Sequence, residues 1–406
     1  MPPTDLDAVK DRLCQEVDER ADLLVDVARQ IHANPELAFR ERFAHDLLTG
    51  ILAAEGLDTE CHAYGLDTAF AARAGSAGPT VAVLCEYDAL PGIGHACGHN
   101  VIAAAGLGAG LAVAAMAGEL GGRVAVLGTP AEEGGGGKVR MARRGALDGV
   151  DAAMMVHPAG ADLRRMDVIA IQQLWVEYHG EAAHAAAFPH KGRNALDAAV
   201  LGYMNVAALR QHIRPEERVH GIFTEAGDKP NIVPAHTAAQ WYVRAATMKR
   251  LHALAERVHA CLQAGADAAG CRMEAEWKDP PYADMVDNEP LLDLYAANAE
   301  RLGRHLRDPD EFDLRVVGST DMGNVSHLVP SIHPMIAVAP PHVGIHTPEF
   351  AEYTASEGAD RAVLDAAKAM AMTVADLWLL PEALQAVRDA FAEAGGGVDP
   401  ASGPGR

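Results

Sequence analysis

A cysteine and a histidine one residue apart, Cys97 and His99, sit in the glycine-rich segment GIGHACGHN at 92–100. The segment follows a short apolar run, 80–84 (TVAVL), and precedes a stretch of helical character. In open α/β sheets, sites collect at the carboxyl ends of strands, where such a loop lies. Thiolate and imidazole both ligate soft or borderline divalent metals. Taken alone the pair is weak, because a cysteine here could equally be a small buried hydrophobe. Two adjacent carboxylates, Glu132 and Glu133, follow the next apolar run in VLGTPAEEGGGG. An acidic, solvated turn is the plain reading, yet the glycines that follow suit close approach of backbone to a ligand or a neighbouring loop. One carboxylate could bind a metal while the other serves a water as general base. His157 ends a third apolar run (MMVHP), and His346 lies in a late loop (GIHTPEF). Each histidine alone reads as structural. Metal-capable residues at three successive strand ends and again in a late loop do not read as coincidence.

The elements that must position these residues alternate in type. Short buried strands are predicted at 80–84, 123–128 and 151–156, with a helix over 100–120 and another over 138–147. That repetition implies parallel strands joined by crossover helices. The apolar stretch 101–120 is rich in Gly and Ala and lies between a turn and a strand, so it reads as a buried helix rather than a membrane span. From 168 the pattern changes to strand, helix, strand, strand, helix, strand, ending at 277, with Gly270 as a helix stop. This is the split βαβ order of a ferredoxin-like domain. The expected organisation is therefore an α/β domain at 1–167 and 283–406, with a mixed, mostly parallel sheet flanked by helices, interrupted by an α+β insertion at 168–282. Later elements are expected as a helix at 288–304, a strand at 332–339, a helix at 352–380 and a flexible tail from Gly395.

The segments HANPELAF, EYDALPGIGHACGHN, GTPAEEGGGGK, MMVHP, GEAAHAAAFPHKGRNALDA, PNIVP and IHTPEF run from about residue 32 to 350. Together they resemble the aminoacylase and carboxypeptidase G type of two-metal peptidases, and in particular the branch holding aminobenzoyl-glutamate hydrolase and indole-acetyl-amino-acid hydrolases. The resemblance implies a two-metal catalytic domain and an inserted dimerisation, or lid, domain. It implies that Cys97 bridges two divalent ions, that Glu133 and His346 complete one metal site, and that His99 and His157 complete the other. Glu132 would be the general base. His184 would stabilise the oxyanion of the tetrahedral intermediate, from its own subunit or across a homodimer. Relatives outside this branch carry a His-x-Asp motif where this chain has Glu86-Tyr87-Asp88, so His99 would take over that ligand position and Asp88 would support it by hydrogen bonding. Asn100 stands where many relatives have aspartate. The segment GSTDMGNVS at 318–326 would form a loop over the site.

Asn231, in PNIVP, and Arg244, on the following strand, could hold a substrate carboxylate, the arginine through its bidentate fork. His95, His190, His327, His333 and His342 lie near the motifs and read as loop residues. Cys85 reads as core. The expected reaction is hydrolysis of the amide bond in a small N-acyl amino acid, an aminobenzoyl-glutamate-like amide or a dipeptide. Zinc suits the ligand set best, with manganese, nickel or cobalt as alternatives. Two competing readings are a thiol amidase using Cys97 with His99 as base, and an inactive metal-bound binding protein. The first leaves Glu132, Glu133, His157 and His346 without roles; the second expects a lost base or ligand, and none is missing.

The bulk composition fits this reading. A chain of 406 residues suits two domains, and an apolar fraction of 49% supplies their cores. The net charge of -22 argues against nucleic acid as a partner. The charged N-terminus is neither a signal peptide nor a membrane span, and six scattered cysteines form no disulfide framework. A cytoplasmic location with no membrane partner is therefore expected.

Overall fold

Valine- and alanine-rich runs, too short for helices, build the first sheet. The computed structural model describes residues 5–311 and 317–400; the expected tail beyond 400 lies outside them. Six strands lie in the spatial order Asp58–Cys61, Phe70–Ala74, Arg123–Gly128, Thr80–Cys85, Ala152–Met154 and Ser331–Ile332. The first two junctions are antiparallel and the other three parallel. The helix His99–Leu120 follows Thr80–Cys85 and lies on the sheet. Its glycines permit that contact: a Cβ on Gly106 would stand 2.7 Å from Cys85 Sγ and 2.8 Å from the Leu84 carbonyl oxygen. This helix is long and apolar enough to cross a membrane, yet 83% of its apolar window is buried inside the protein. The helices Leu6–Glu19, Ala21–Ala33 and Glu357–Leu379 pack against it in one continuous core. A smaller core, holding Met141, Met322 and Val325, contains the alanines and leucines of the sheet's other side.

The chain divides into two compact units. Among the described residues, one comprises 5–167, 285–311 and 317–399, and the other 168–284; the sequence places the second junction at 282. The second unit is a four-stranded antiparallel sheet in the order Arg272–Trp277, Ala170–His179, His236–Ala245, Arg218–Glu225. The helices Ala195–Leu209 and Met248–Ala269 cover one face. Alternation along His236–Ala245 sets that face: Thr237, Ala239, Trp241, Val243 and Ala245 are buried, and the residues between them point the other way. Thr247 caps the second helix through the Arg250 amide, and Gly270 ends it in the left-handed region at φ 65°.

Several elements differ from expectation. The strand predicted at 151–156 ends at Met154, with a further short strand, His157–Ala159, beyond it, and the one at 332–339 is two, Ser331–Ile332 and Met335–Ala337. Pro334 has no N–H to continue the ladder, so the chain leaves the main sheet there. Its second half pairs in parallel with His157–Ala159 as a separate ribbon. The helix predicted at 138–147 stops at Ala142 and gives way to turns around Gly145, at φ 86°. Ser356 interrupts the long C-terminal helix by capping a new one through the Ala359 amide.

Candidate metal centre

Each ligand candidate sits where an element begins or ends. Cys97 precedes the helix His99–Leu120, and His99 is its first residue. Between them Gly98 adopts φ 83°, and a Cβ there would lie 2.3 Å from Pro158 Cγ. Only glycine lets thiol and imidazole turn to the same side with Pro158 so close. Glu132 and Glu133 follow Ala131, which is left-handed at φ 60° and whose N–H donates to Glu41 Oε1 at 3.0 Å. His157 opens the ribbon strand, and His346, also left-handed at φ 65°, donates its backbone N–H to Ala96 O at 2.8 Å. Strained non-glycine backbone on both sides of one cluster persists only when the surroundings over-determine it.

The structure brings all five ligand candidates together. His157 Nε2 stands 3.4 Å and His346 Nε2 3.3 Å from Cys97 Sγ. His346 Nε2 is also 3.3 Å from Glu133 Oε1, which lies 4.0 Å from His99 Nε2. Donor atoms of Cys97, His99 and His157 form one group within 4.8 Å, and those of Cys97, Glu133 and His346 form another, so the thiol belongs to both. The far nitrogens are engaged elsewhere. His157 Nδ1 donates to Pro158 O at 2.8 Å, and His99 Nδ1 to Asp88 O at 2.8 Å and Asp88 Oδ1 at 3.1 Å. Asp88 Oδ2 accepts the Glu133 N–H at 3.0 Å, so one carboxylate braces two ligand candidates.

This donor set fits two cations. His99 Nε2 and Glu133 Oε1 are buried and face the shared thiol, their other polar neighbours being Glu86 Oε1 at 3.0 Å and His346 Nε2 at 3.3 Å. Burial pushes the Cys97 thiol far up, beyond what the His99 charge offsets, so only a bound cation would make it a thiolate. Burial, aided by the His333 and His99 charges, pushes His157 well down and keeps it neutral, the form that ligates. Burial raises Glu132 well above the usual carboxylate range, and the Glu86, Glu133 and Asp321 charges add to it. Glu133 is also buried, but the His346 hydrogen bond and the His99 charge hold it low.

Three further residues belong to this centre. Lys138 Nζ pairs with Glu86 Oε2 and, at 2.7 Å, with Asp321 Oδ1, all three side chains being buried. Glu86 Oε1 stands 3.0 Å from His99 Nε2. Asp321 lies just before the buried helix Met322–Leu328, so the segment expected as a loop over the site is instead an inner wall. Lys138 and Glu86 stand in the matching segments GTPAEEGGGGK and EYDALP, which is the signal that could have singled them out. Two histidines read as loop residues are also inside. His95 and His333 are buried with both ring nitrogens unpartnered, and the His333 ring meets that of His157 edge-on at 5.4 Å. Asn100 donates to Ala28 O at 3.2 Å and Thr354 O at 2.8 Å, tying the helix start to its neighbours.

His184, Asn231 and Arg244 belong to the second unit. His184 is exposed; its Nδ1 accepts the Ala186 and Ala187 amides at 3.3 and 3.2 Å. The Asn231 carbonyl accepts the Ala185 N–H at 3.0 Å, so the two segments adjoin. Arg244 is half-buried on the open face of the sheet, and burial lowers its pKa.

Residues 82–376 match the model of Peptidase family M20/M25/M40. The chain is 40% identical to Xaa-Arg dipeptidase of Mus musculus over 95% of its own length and 93% of that protein. It is 30% identical to one of the subunits of p-aminobenzoyl-glutamate hydrolase of Escherichia coli, over 87% and 89% of the two chains. In three dimensions it resembles a dinuclear metal binding peptidase of Bacillus subtilis, with a TM-score of 0.69 at 20% identity, over 89% of this chain and 99% of that one. The chain belongs to Peptidase family M20/M25/M40 and is a metal-dependent amidohydrolase, with places for two divalent ions on either side of Cys97.

Proposed function

We propose that the enzyme is a dipeptidase preferring a basic residue on the carboxyl side of the scissile bond. The observation that carries this reading is the 40% identity to Xaa-Arg dipeptidase across nearly the whole chain, against 30% to the aminobenzoyl-glutamate hydrolase. Cys97, Glu133 and His346 would hold one divalent ion, with zinc the best match to the donors, and Cys97, His99 and His157 would hold the other. Bound there, the ions would polarise the scissile carbonyl and acidify a water shared between them.

The chain's own residues do the rest. Glu132 takes the proton of the attacking water and passes it to the leaving amine, the task for which a carboxylate of raised pKa is suited. Asp88 fixes the His99 tautomer, leaving Nε2 for the ion. His184 donates a hydrogen bond to the oxyanion, and Asn231 and Arg244 hold the substrate carboxylate. The enzyme acts as a homodimer. Support comes from the edge strand Arg218–Glu225, where Ile222 is 65% exposed, and from Met204 on the adjoining helix, 59% exposed. Six unpaired cysteines suit a reducing cytoplasm.

The test is hydrolysis of a panel of Xaa-Arg, Xaa-Lys and β-alanyl dipeptides, N-acyl amino acids and aminobenzoyl-glutamate, with and without chelator. Glu132→Ala should lower kcat by roughly 10²–10⁴-fold with metal content unchanged. A preference for aminobenzoyl-glutamate would overturn the substrate, activity surviving chelation would overturn the metal reading, and a monomer by light scattering would overturn the dimer.

A further inference from the structure

We propose that the open face of the inserted unit's sheet carries a separate site for one divalent transition-metal ion, held by His179, His236 and Glu177. His179 and His236 are directly opposite each other on antiparallel strands, and Glu177 is two residues before His179 on the same face. The other face of these strands is packed core, including Val176, Tyr178 and Trp241, so the backbone under the three side chains is fixed.

Their donor atoms converge on one point. Glu177 Oε2 lies 3.0 Å from His236 Nε2 and 3.7 Å from His179 Nε2. All three atoms lie within 4.8 Å of one another. A tetrahedral zinc with ligands at its usual bond lengths separates its donors by about 3.3 Å, which those two distances bracket. His179 Nε2 has two carboxylate oxygens, Glu177 Oε2 and Glu274 Oε2, at 3.7 Å, a spacing that leaves room for an ion between them. The side chains themselves stay open to entry: those of His179 and His236 are 31% and 33% exposed.

The surroundings favour a cation. Glu225 Oε1 meets His236 Nδ1 at 3.0 Å and fixes that ring from behind, the arrangement by which carboxylates orient metal-binding imidazoles. Glu274 Oε2 is 3.7 Å from His179 Nε2 and can serve as a fourth donor. Arg272, the nearest cation along this row, is itself ion-paired with Glu274. His236 has a carboxylate at each ring nitrogen, so an ion held at Nε2 beside Glu177 leaves the Glu225 contact at Nδ1 intact. Two imidazoles with carboxylate suit zinc, and nickel or cobalt after it, better than calcium or magnesium. An ion here would clamp the two central strands of the inserted unit and plays no part in the hydrolytic reaction.

The experiment titrates Zn²⁺ into enzyme already saturated at its catalytic centre, read by calorimetry and by metal content after gel filtration. The expected result is one further ion per chain, lost or weakened at least roughly tenfold in His236→Gln and His179→Gln, with dipeptide hydrolysis unchanged. Glu177→Gln, an exposed substitution, is the companion should a histidine variant misfold, and should weaken the same ion. With Co²⁺ as probe, the added ion should bring visible absorption bands of a four-coordinate site that the variants lack. No further ion below about 100 μM, or equal binding by the His179→Gln/His236→Gln double variant, overturns the proposal.

Discussion

Replacing Lys138 with methionine keeps the length and packing of the side chain and removes one buried positive charge. In the native protein that charge faces Glu86 and Asp321, and none of the three side chains is more than 1% exposed. Asp321 would keep the Lys138 backbone N–H at 2.9 Å, whereas Glu86 would keep only His99 Nε2 at 3.0 Å. Breaking a buried pair by removing one partner costs about 3–5 kcal/mol, chiefly because the remaining charge is left uncompensated. We expect a loss of that size, centred on Glu86. In a unit of this size it corresponds to a fall of roughly 10 °C in melting temperature. The assay is thermal unfolding followed by circular dichroism, with metal content measured alongside. The double variant Lys138→Met/Glu86→Gln removes the orphaned charge as well and should recover about half of the loss. A single variant melting within about 2 °C of the wild type, or a double variant less stable than the single, would refute the reasoning.

Further outcomes follow from other contacts. Gly98→Ala places a Cβ against Pro158 at a positive φ, so it should destabilise the protein by about 1–3 kcal/mol and release metal, seen as lower metal content after dialysis. Asp88→Asn keeps one side-chain acceptor but turns the other into an NH2 facing the His99 ring or the Glu133 N–H, and zinc affinity measured by competition with a chelator should fall about 10–100-fold. Glu41 is raised by burial to about 7, against the Thr68, Phe39 and Ala131 hydrogen bonds it accepts. An acid whose folded pKa exceeds its unfolded one binds more protons when native. Stability is therefore highest below the unfolded pKa and declines as pH rises toward about 7, by at most about 3 kcal/mol. Urea unfolding across that range should show the decline, and Glu41→Gln, which can still accept both amides and donate to Thr68, should flatten it.

The ligand candidates are legible because each combines an unusual residue type with a strand or helix end, and such ends gather at one rim of a parallel sheet. The split βαβ order of the insertion is legible from periodicity alone. Contacts between distant charges are not. Lys138 meets Glu86 across 52 positions and Asp321 across 183, and a lysine after a glycine run reads as solvated until both carboxylates are seen beside it. His333 misleads for a related reason. Its neighbour Pro334 marks a chain break, which suggests a surface loop, but the break joins two buried strands. The run 151–156 shows the limit of apolar runs as a guide: it stays buried to its end, yet its strand stops at Met154 and the next one, from His157, joins a different ribbon.

The spacing of the ligand candidates along the chain also bears on synthesis. Cys97 and His157 are 60 residues apart, but Cys97 and His346 are separated by 249. During translation the thiol, His99, Glu133 and His157 leave the ribosome long before His346, with the whole inserted unit made in between. One half of the cradle can therefore assemble on the nascent chain, while the half that depends on His346 closes only when the last sixth of the protein has emerged and its helices have docked. A cation captured early would sit in an open, three-donor pocket and could still exchange. Loading of both ions becomes a late event, coupled to completion of the fold, and a chain truncated before that loop should be deficient in metal however well its sheet has formed.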